Sequence, residues 1–113
     1  MTLLATVSGE RRGTTAIAHV VGEIDASNVA WVEERLRTPL TNRCEVLAVD
    51  LTGTTYLDSA GIAMLFGLAT ALRQHQQQLR LVVSDGSSIA RMVALAGLGH
   101  AIPTHPSLEA ALS

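Results

Sequence analysis

Apolar and polar positions along the chain change period several times, between the alternation of a strand and the every-three-or-four recurrence of a helix face. The pattern predicts a first strand over Thr2 to Ser8 and a second over Thr15 to Val21. The charged, glycine-flanked segment Gly9-Glu-Arg-Arg-Gly13 between them reads as a hairpin turn. After Gly22-Glu-Ile-Asp25, the residues Ala26, Ser27 and Asn28 open a helix with Val29, Val32 and Leu36 on one face, and Pro39 ends it. Glu45 to Leu51 is a nearly continuous apolar run of the kind that fills a strand covered on both sides. A loop over Thr52 to Tyr56 then leads through Leu57-Asp-Ser-Ala-Gly61 into a second helix. Its predicted core face is Ile62, Leu65, Phe66, Ala69 and Leu72, and it ends between Arg73 and Gln78, with Gln76-Gln-Gln78 as a solvated helix end. Leu79 to Val83 is the next strand, and Ser84-Asp-Gly-Ser-Ser88 a loop carrying capping residues. Ile89, Met92, Val93 and Ala96 recur at helical spacing until Gly97 and Gly99 stop the helix. Ala101-Ile102 reads as a short strand before Pro103, and Ser107 to Leu112 as a terminal helix.

Strands alternating with helices after an opening hairpin define an α/β class. The expectation is one domain over residues 1–113, with a mostly parallel sheet of about four to five strands, an antiparallel N-terminal edge strand and about four helices. Hydrophobic residues make up 48% of the 113 residues, enough for one core, while aromatics contribute only 3%, so that core is aliphatic. The net charge is −2, no lysine is present, and the eight arginines are scattered. Such a surface offers nucleic acid neither a basic footprint nor a stacking platform. A phosphate-binding loop with its lysine is excluded as well. The single cysteine, Cys44, makes neither an internal disulfide nor a cysteine-based zinc cage, and reads as a small residue where a strand begins. The first nine residues lack the charge and length of a secretory leader, and no apolar run reaches the roughly 18 residues of a membrane span, so a cytoplasmic location is expected.

Candidate chemistry narrows to one end of the sheet. The four histidines show no metal spacing, and the segment around Ser59 lacks the first glycine of a nucleophile elbow, so no catalytic constellation and no metal or other cofactor is expected. Asp25 follows the second strand and Asp58 the third, at the carboxyl ends where sites form in parallel sheets. Ser59 stands beside Asp58 at the mouth of a helix. Asp and Ser there suit helix capping, a contribution of about 0.5–2 kcal/mol. The same position suits phosphorylation, which adds about −1.5 to −2 charges where the helix dipole favours an anion. Ala63, Met64, Gly67, Leu68 and Ala71 are apolar or small yet lie off the predicted core face. They fit either a partner contact near the first turns or packing under a neighbouring helix. Arg11 and Arg12 in the hairpin turn are read as solvated.

Gly22-Glu-Ile-Asp25, the strand Val46 to Leu51, Tyr56-Leu-Asp-Ser-Ala-Gly61 and Gly97-Leu-Gly99 together carry a family resemblance over nearly the whole chain. It resembles the STAS domain, named for sulfate transporters and anti-sigma factor antagonists, and looks like a bacterial anti-anti-sigma factor. That resemblance implies a partner, an anti-sigma factor that is also a serine/threonine kinase of the GHKL type. Binding it frees a sigma factor. The kinase would phosphorylate Ser59 and dissolve the complex, and a PP2C-type phosphatase would reverse the modification. Asp25, Asp58, Ala60, Gly61 and Met64 would border the partner, with no role for nucleic acid or membrane. Ala60 departs from the second serine common in this segment, which leaves Ser59 as the clear phosphosite. The alternative implied by the resemblance is a stand-alone STAS subunit of a phospholipid-transport ABC ATPase complex.

Overall fold

The computed structural model describes residues 4–113. Its chain runs β1 (Ala5–Arg12), β2 (Thr15–Ile24), α1 (Val29–Arg37), β3 (Val46–Leu57), α2 (Ser59–Gln74), β4 (Gln78–Val82), α3 (Ser88–Leu95), α4 (Leu98–Ala101), β5 (Thr104–His105) and α5 (Leu108–Leu112). The five strands lie in chain order in one sheet. β1 pairs antiparallel with β2, and every later pair is parallel. Each parallel step therefore needs a helical crossover, and α1, α2 and the α3–α4 pair supply them. The α/β class, the antiparallel edge strand and the parallel remainder are as the sequence predicts, with two of the five helices only a turn or so long.

One sheet face carries the main core. Ala16, Ala18 and Val20 of β2, Leu47, Val49 and Leu51 of β3, and Leu79 and Leu81 of β4 join Val32 and Leu36 of α1 and Leu65, Leu68 and Leu72 of α2. Ile17, Ala48 and Val82 alternate with these strand residues and are fully buried on the other face. There α5 packs, and Arg80 donates to the Ala111 carbonyl at 2.6 Å.

Several element ends differ from the pattern-based reading, among them β2, which runs on to Ile24 rather than ending at Val21. The hairpin turn is Gly13-Thr14 alone, with Gly13 at φ +61°, so Gly9, Glu10, Arg11 and Arg12 belong to β1. Gly9 marks a close approach: a Cβ there would come within 3.2 Å of Pro39. The expected start of that first strand, Thr2 and Leu3, lies outside the described residues. β3 continues through Thr52 to Leu57 where a loop was expected. A register shift against β2 carries it past Val21, and the buried Thr54 hydroxyl donates to the Val20 carbonyl at 3.2 Å. Ala101 closes a helical turn and Ile102 follows it, while strand pairing starts where the Pro103 carbonyl accepts from Leu81 N–H. Gln77 is not simply solvated: its side-chain amide donates to the Thr41 and Cys44 carbonyls, tying the end of α2 to the loop before β3.

The core face of α2 is also rotated from the one predicted. Gly61, Met64, Leu65, Leu68, Ala69 and Leu72 are buried, whereas Ile62 and Phe66 are half-buried. Gly61 sets this rotation by sitting against Leu57 and Ile24; a Cβ there would lie 2.4 Å from Leu57 Cδ1 and 3.2 Å from Ile24 Cγ2.

On the second sheet face His19 bridges three strands. Its Nδ1 lies 2.8 Å from Asp50 Oδ2 on β3 and its Nε2 2.8 Å from Glu10 Oε2 on β1. Partial burial by itself disfavours the imidazolium, but the two carboxylate hydrogen bonds outweigh it and raise the His19 pKa above 6.5. Glu10 falls below its usual 4.5 through its hydrogen bonds to His19 and Arg12. Burial would raise Asp50, yet hydrogen bonds from Thr52 and His19 lower it overall from 3.8.

Two predictions follow from this packing. Gly61→Ala forces a methyl into Leu57 and should cost about 1–3 kcal/mol of unfolding free energy by denaturant titration; a cost near zero would show that α2 sits looser than described. For His19, the raised pKa means its contribution is full below 6.5 and fades as pH rises through the folded value. The lowered carboxylates contribute above 4.5 and 3.8 and lose that as pH falls. His19→Gln should therefore lower the melting temperature by a few degrees between those limits, with a gap that shrinks toward pH 9. A gap independent of pH would refute the charged bridge.

Candidate functional site

The carboxyl ends of β2 and β3 bring Asp25, Asp58 and Ser59 to one end of the sheet. Asp58 takes extended backbone angles as the N-cap of α2. Its Oδ1 accepts from Ala60 N–H at 2.9 Å and Gly61 N–H at 3.1 Å. Its Oδ2 reaches the other way and accepts from Ala26 N–H at 3.2 Å. One half-buried carboxylate thus caps a 16-residue helix and ties it to the loop that opens α1.

Asp25 organises that second loop. Its carboxylate accepts from Ser27 N–H at 2.8 Å and from the Ser27 hydroxyl, which hold its pKa below the usual 3.8. The Asp25 N–H donates to Asn28 Oδ1 at 2.9 Å, and the Asn28 amide donates to the Glu23 carbonyl at 2.8 Å. The loop is therefore internally bonded before any ligand arrives. Asp25 lies on the α1 side of the Asp58 clamp.

Ser59 is the first residue of α2 and is exposed. The sequence left open whether it or Asp58 caps the helix. Asp58 does, because its two oxygens serve helix and loop at once, and the Ser59 hydroxyl is left without that duty. Ala60 is half-buried beside it. Gly61 and Met64, expected at the partner surface, are buried, with Met64 only 7% exposed in the core. Leu68, also placed off the core face by the sequence pattern, is buried too.

In their place the structure exposes a groove between α2 and α3. Ile62, Ala63 and Phe66 form one wall, Met92, Leu95 and Ala96 the other, and Ser59 stands at its end. The volume is about 480 Å³. Leu95 is 83% exposed and Met92 37%, so apolar surface faces solvent beside the serine. The sequence pattern assigned Ile62 and Phe66 to the core face of α2, and their spacing holds no sign of the rotation that leaves them half-buried at this groove. Among the described residues no His, Cys, Asp and Glu gather as a metal site, and no helix is long and apolar enough to cross a membrane. The site is suited to contact with a partner and to modification of a hydroxyl.

Comparison with known proteins identifies the family of the chain. The STAS domain family model matches residues 7–111. The anti-sigma-F factor antagonist RsfA of Mycobacterium tuberculosis is 33% identical over 106 residues, spanning 92% of this chain and 82% of that protein. The anti-sigma-B factor antagonist of Listeria monocytogenes is 37% identical over 84 residues, 74% of this chain and 72% of that protein. The crystal structure of an anti-sigma factor antagonist from Mycobacterium paratuberculosis superposes with a TM-score of 0.83 at 24% identity, covering 96% of this chain and 91% of that one. The chain belongs to the STAS domain family and, within it, to the anti-sigma factor antagonists.

Proposed function

We propose that this antagonist binds an anti-sigma factor that is itself a serine/threonine kinase of the GHKL type, and that phosphorylation of Ser59 ends the complex. The supporting observation is the division of labour at the mouth of α2: Asp58 holds the fold, and Ser59 is exposed and free to react. In the forward step Ser59 Oγ attacks the γ-phosphorus of ATP held by the kinase. The Oγ–P bond forms, the bond to the β,γ-bridging oxygen breaks, ADP leaves, and the hydroxyl proton passes to a base of the kinase. A PP2C-type phosphatase reverses the modification by water attack on phosphorus, releasing inorganic phosphate and restoring the hydroxyl. The modified residue sits where the helix dipole favours an anion, so the fold tolerates it. The partner meets about −1.5 to −2 new charges beside Asp25 and Asp58, in a place that had been a neutral hydroxyl.

Intact-mass measurement after incubation with the kinase and ATP should show one phosphate on the parent protein and none on Ser59→Ala. Ser59→Ala should keep the anti-sigma factor in the presence of ATP, while Ser59→Glu should bind it about tenfold or more weakly by calorimetry. Equal phosphorylation of Ser59→Ala would sink the assignment. Retention of an ABC-type ATPase subunit by both the parent and Ser59→Glu would favour a constitutive transporter subunit.

A further inference from the structure

We propose that the open edge of β1 takes an extended, acidic segment of a partner protein as an added strand, with the segment's carboxylates on Arg11 and Arg35. The inference goes beyond the Ser59 switch and does not depend on it. β1 stands first in the sheet and has a strand neighbour only on its β2 side. Every second residue of such a strand points its N–H and C=O away from the sheet, a template for one more strand. Beside this edge a groove of about 330 Å³ runs between β1 and the end of α1. Val7, Gly9 and Arg11 line one side, and Arg35, Thr38 and Pro39 the other. Arg11 pairs with the core residue Ala16, so its side chain leaves the strand on the α1 face. Arg35 is held at the same groove by Trp31, its guanidinium carbon 5.3 Å from the ring centroid. Among the described residues no carboxylate pairs with either guanidinium. Glu10, next to Arg11 in the chain, faces the other side of the sheet and is engaged by His19 and Arg12.

Charge selects what the edge accepts. A second copy pairing through its own β1 would lie antiparallel about a two-fold axis normal to the sheet, which keeps the α1 faces of both strands on the same side. That face of β1 carries Ala5, Val7, Gly9 and Arg11, so a copy brings another arginine and no carboxylate. β5, at the other sheet edge, is only Thr104–His105 and is equally without an acid. Two arginines on a chain of net charge −2 are a poor footprint for nucleic acid. An extended acidic segment supplies what is missing: main-chain hydrogen bonds along β1, and counter-charges for Arg11 and Arg35. Alternation sets its pattern. A carboxylate opposite Arg11 and an apolar residue opposite Val7 are four residues apart, about 13 Å at the rise of a strand. The edge is also remote from the switch. Arg11 pairs near the start of β2, whereas Asp25 follows its end, about 25 Å further along the strand. That exceeds the Debye length of about 8–10 Å, so a phosphate on Ser59 leaves this edge's charges unaffected.

The probe is a fluorescent peptide of about nine residues in which threonine alternates with glutamate, with one valine ending the glutamate row. A peptide with glutamine for glutamate is the control. Titrated into the isotopically labelled full chain, the glutamate peptide should shift the backbone amides of Ala5–Arg12 in nuclear magnetic resonance spectra. It should bind about five- to tenfold more tightly than the glutamine peptide, with the gap closing as salt is raised. Arg11 and Arg35 are both exposed, so the double variant Arg11→Gln, Arg35→Gln spares the core, and circular dichroism checks its fold. That variant should lose about five- to tenfold in affinity for the glutamate peptide, and Ser59→Glu should bind like the parent. Equal binding of the two peptides, or shifts confined to residues outside β1 and α1, overturns the proposal. Shifts at the two arginine side chains alone, reproduced by inorganic phosphate, make the groove an anion site and overturn the added strand. A parent dimer in sedimentation that the peptide cannot dissociate shows that a second copy holds the edge, and overturns it too.

Discussion

The Asp58 carboxylate joins two parts of the chain that would otherwise be set independently. Three N–H groups converge on it, two from the first turn of α2 and one from Ala26, 32 residues earlier in the chain. A helix N-terminus leaves several N–H groups without partners, and a capping side chain normally serves only its own helix. Here the same side chain also holds the α1 loop. The mouth of α2, the Asp25 turn and the exposed Ser59 therefore keep a fixed relation. Removing this carboxylate would free both segments together, which is why Asp58 is poorly described as a surface contact alone.

Beneath that clamp, Gly61 fixes the rotation of α2. The helix lies on Leu57 and Ile24 at a point where there is no room for a methyl group. Once Gly61 points inward, helical spacing sends Met64, Leu65, Leu68 and Leu72 inward with it. Ile62 and Phe66 are then carried toward α3, where Met92 and Leu95 meet them across the groove. The apolar surface beside Ser59 is thus a consequence of one tight contact beneath the helix.

Much of this was legible in the sequence, and the rest depended on contacts between distant residues. Local chemistry revealed the helix starts, because Asp58, Ser87 and Ser107 are capping residues and act as such. Alternation revealed the strands, and the place of Ser59 beside Asp58 at a helix mouth singled it out before the family resemblance did. The extent of β3 was hidden because Thr52-Gly-Thr-Thr-Tyr56 resembles a loop, and only its pairing with β2 across the register shift keeps it extended. The face of α2 was hidden because glycine contributes no hydrophobic signal, although Gly61 decides the packing. Hence Met64 was placed at the partner surface although it is buried, and Phe66 fully on the core face although it is only half-buried against the core. Whether Asp58 or Ser59 capped the helix was undecidable locally, since either side chain can accept those N–H groups. The Ala26 N–H favours Asp58, whose second oxygen has no counterpart in a serine.

That assignment bears on the kind of switch the site can form. If the Ser59 hydroxyl were the cap, phosphorylation would replace a structural hydrogen bond and disturb the start of α2. With Asp58 as the cap, a phosphate on Ser59 leaves the two capped N–H groups satisfied. It adds negative charge at a helix end that favours it by about 0.3–1 kcal/mol at an exposed site. Asp58 and Asp25 oppose it with like charge, so the two effects on the free protein act against each other. To the extent that they cancel, the modification acts through its differential effect on a complex. On the proposed function, then, the energetic consequence of phosphorylation falls on the partner interface. On that proposal the antagonist would stay folded in both states, with only its surface at the mouth of α2 changed.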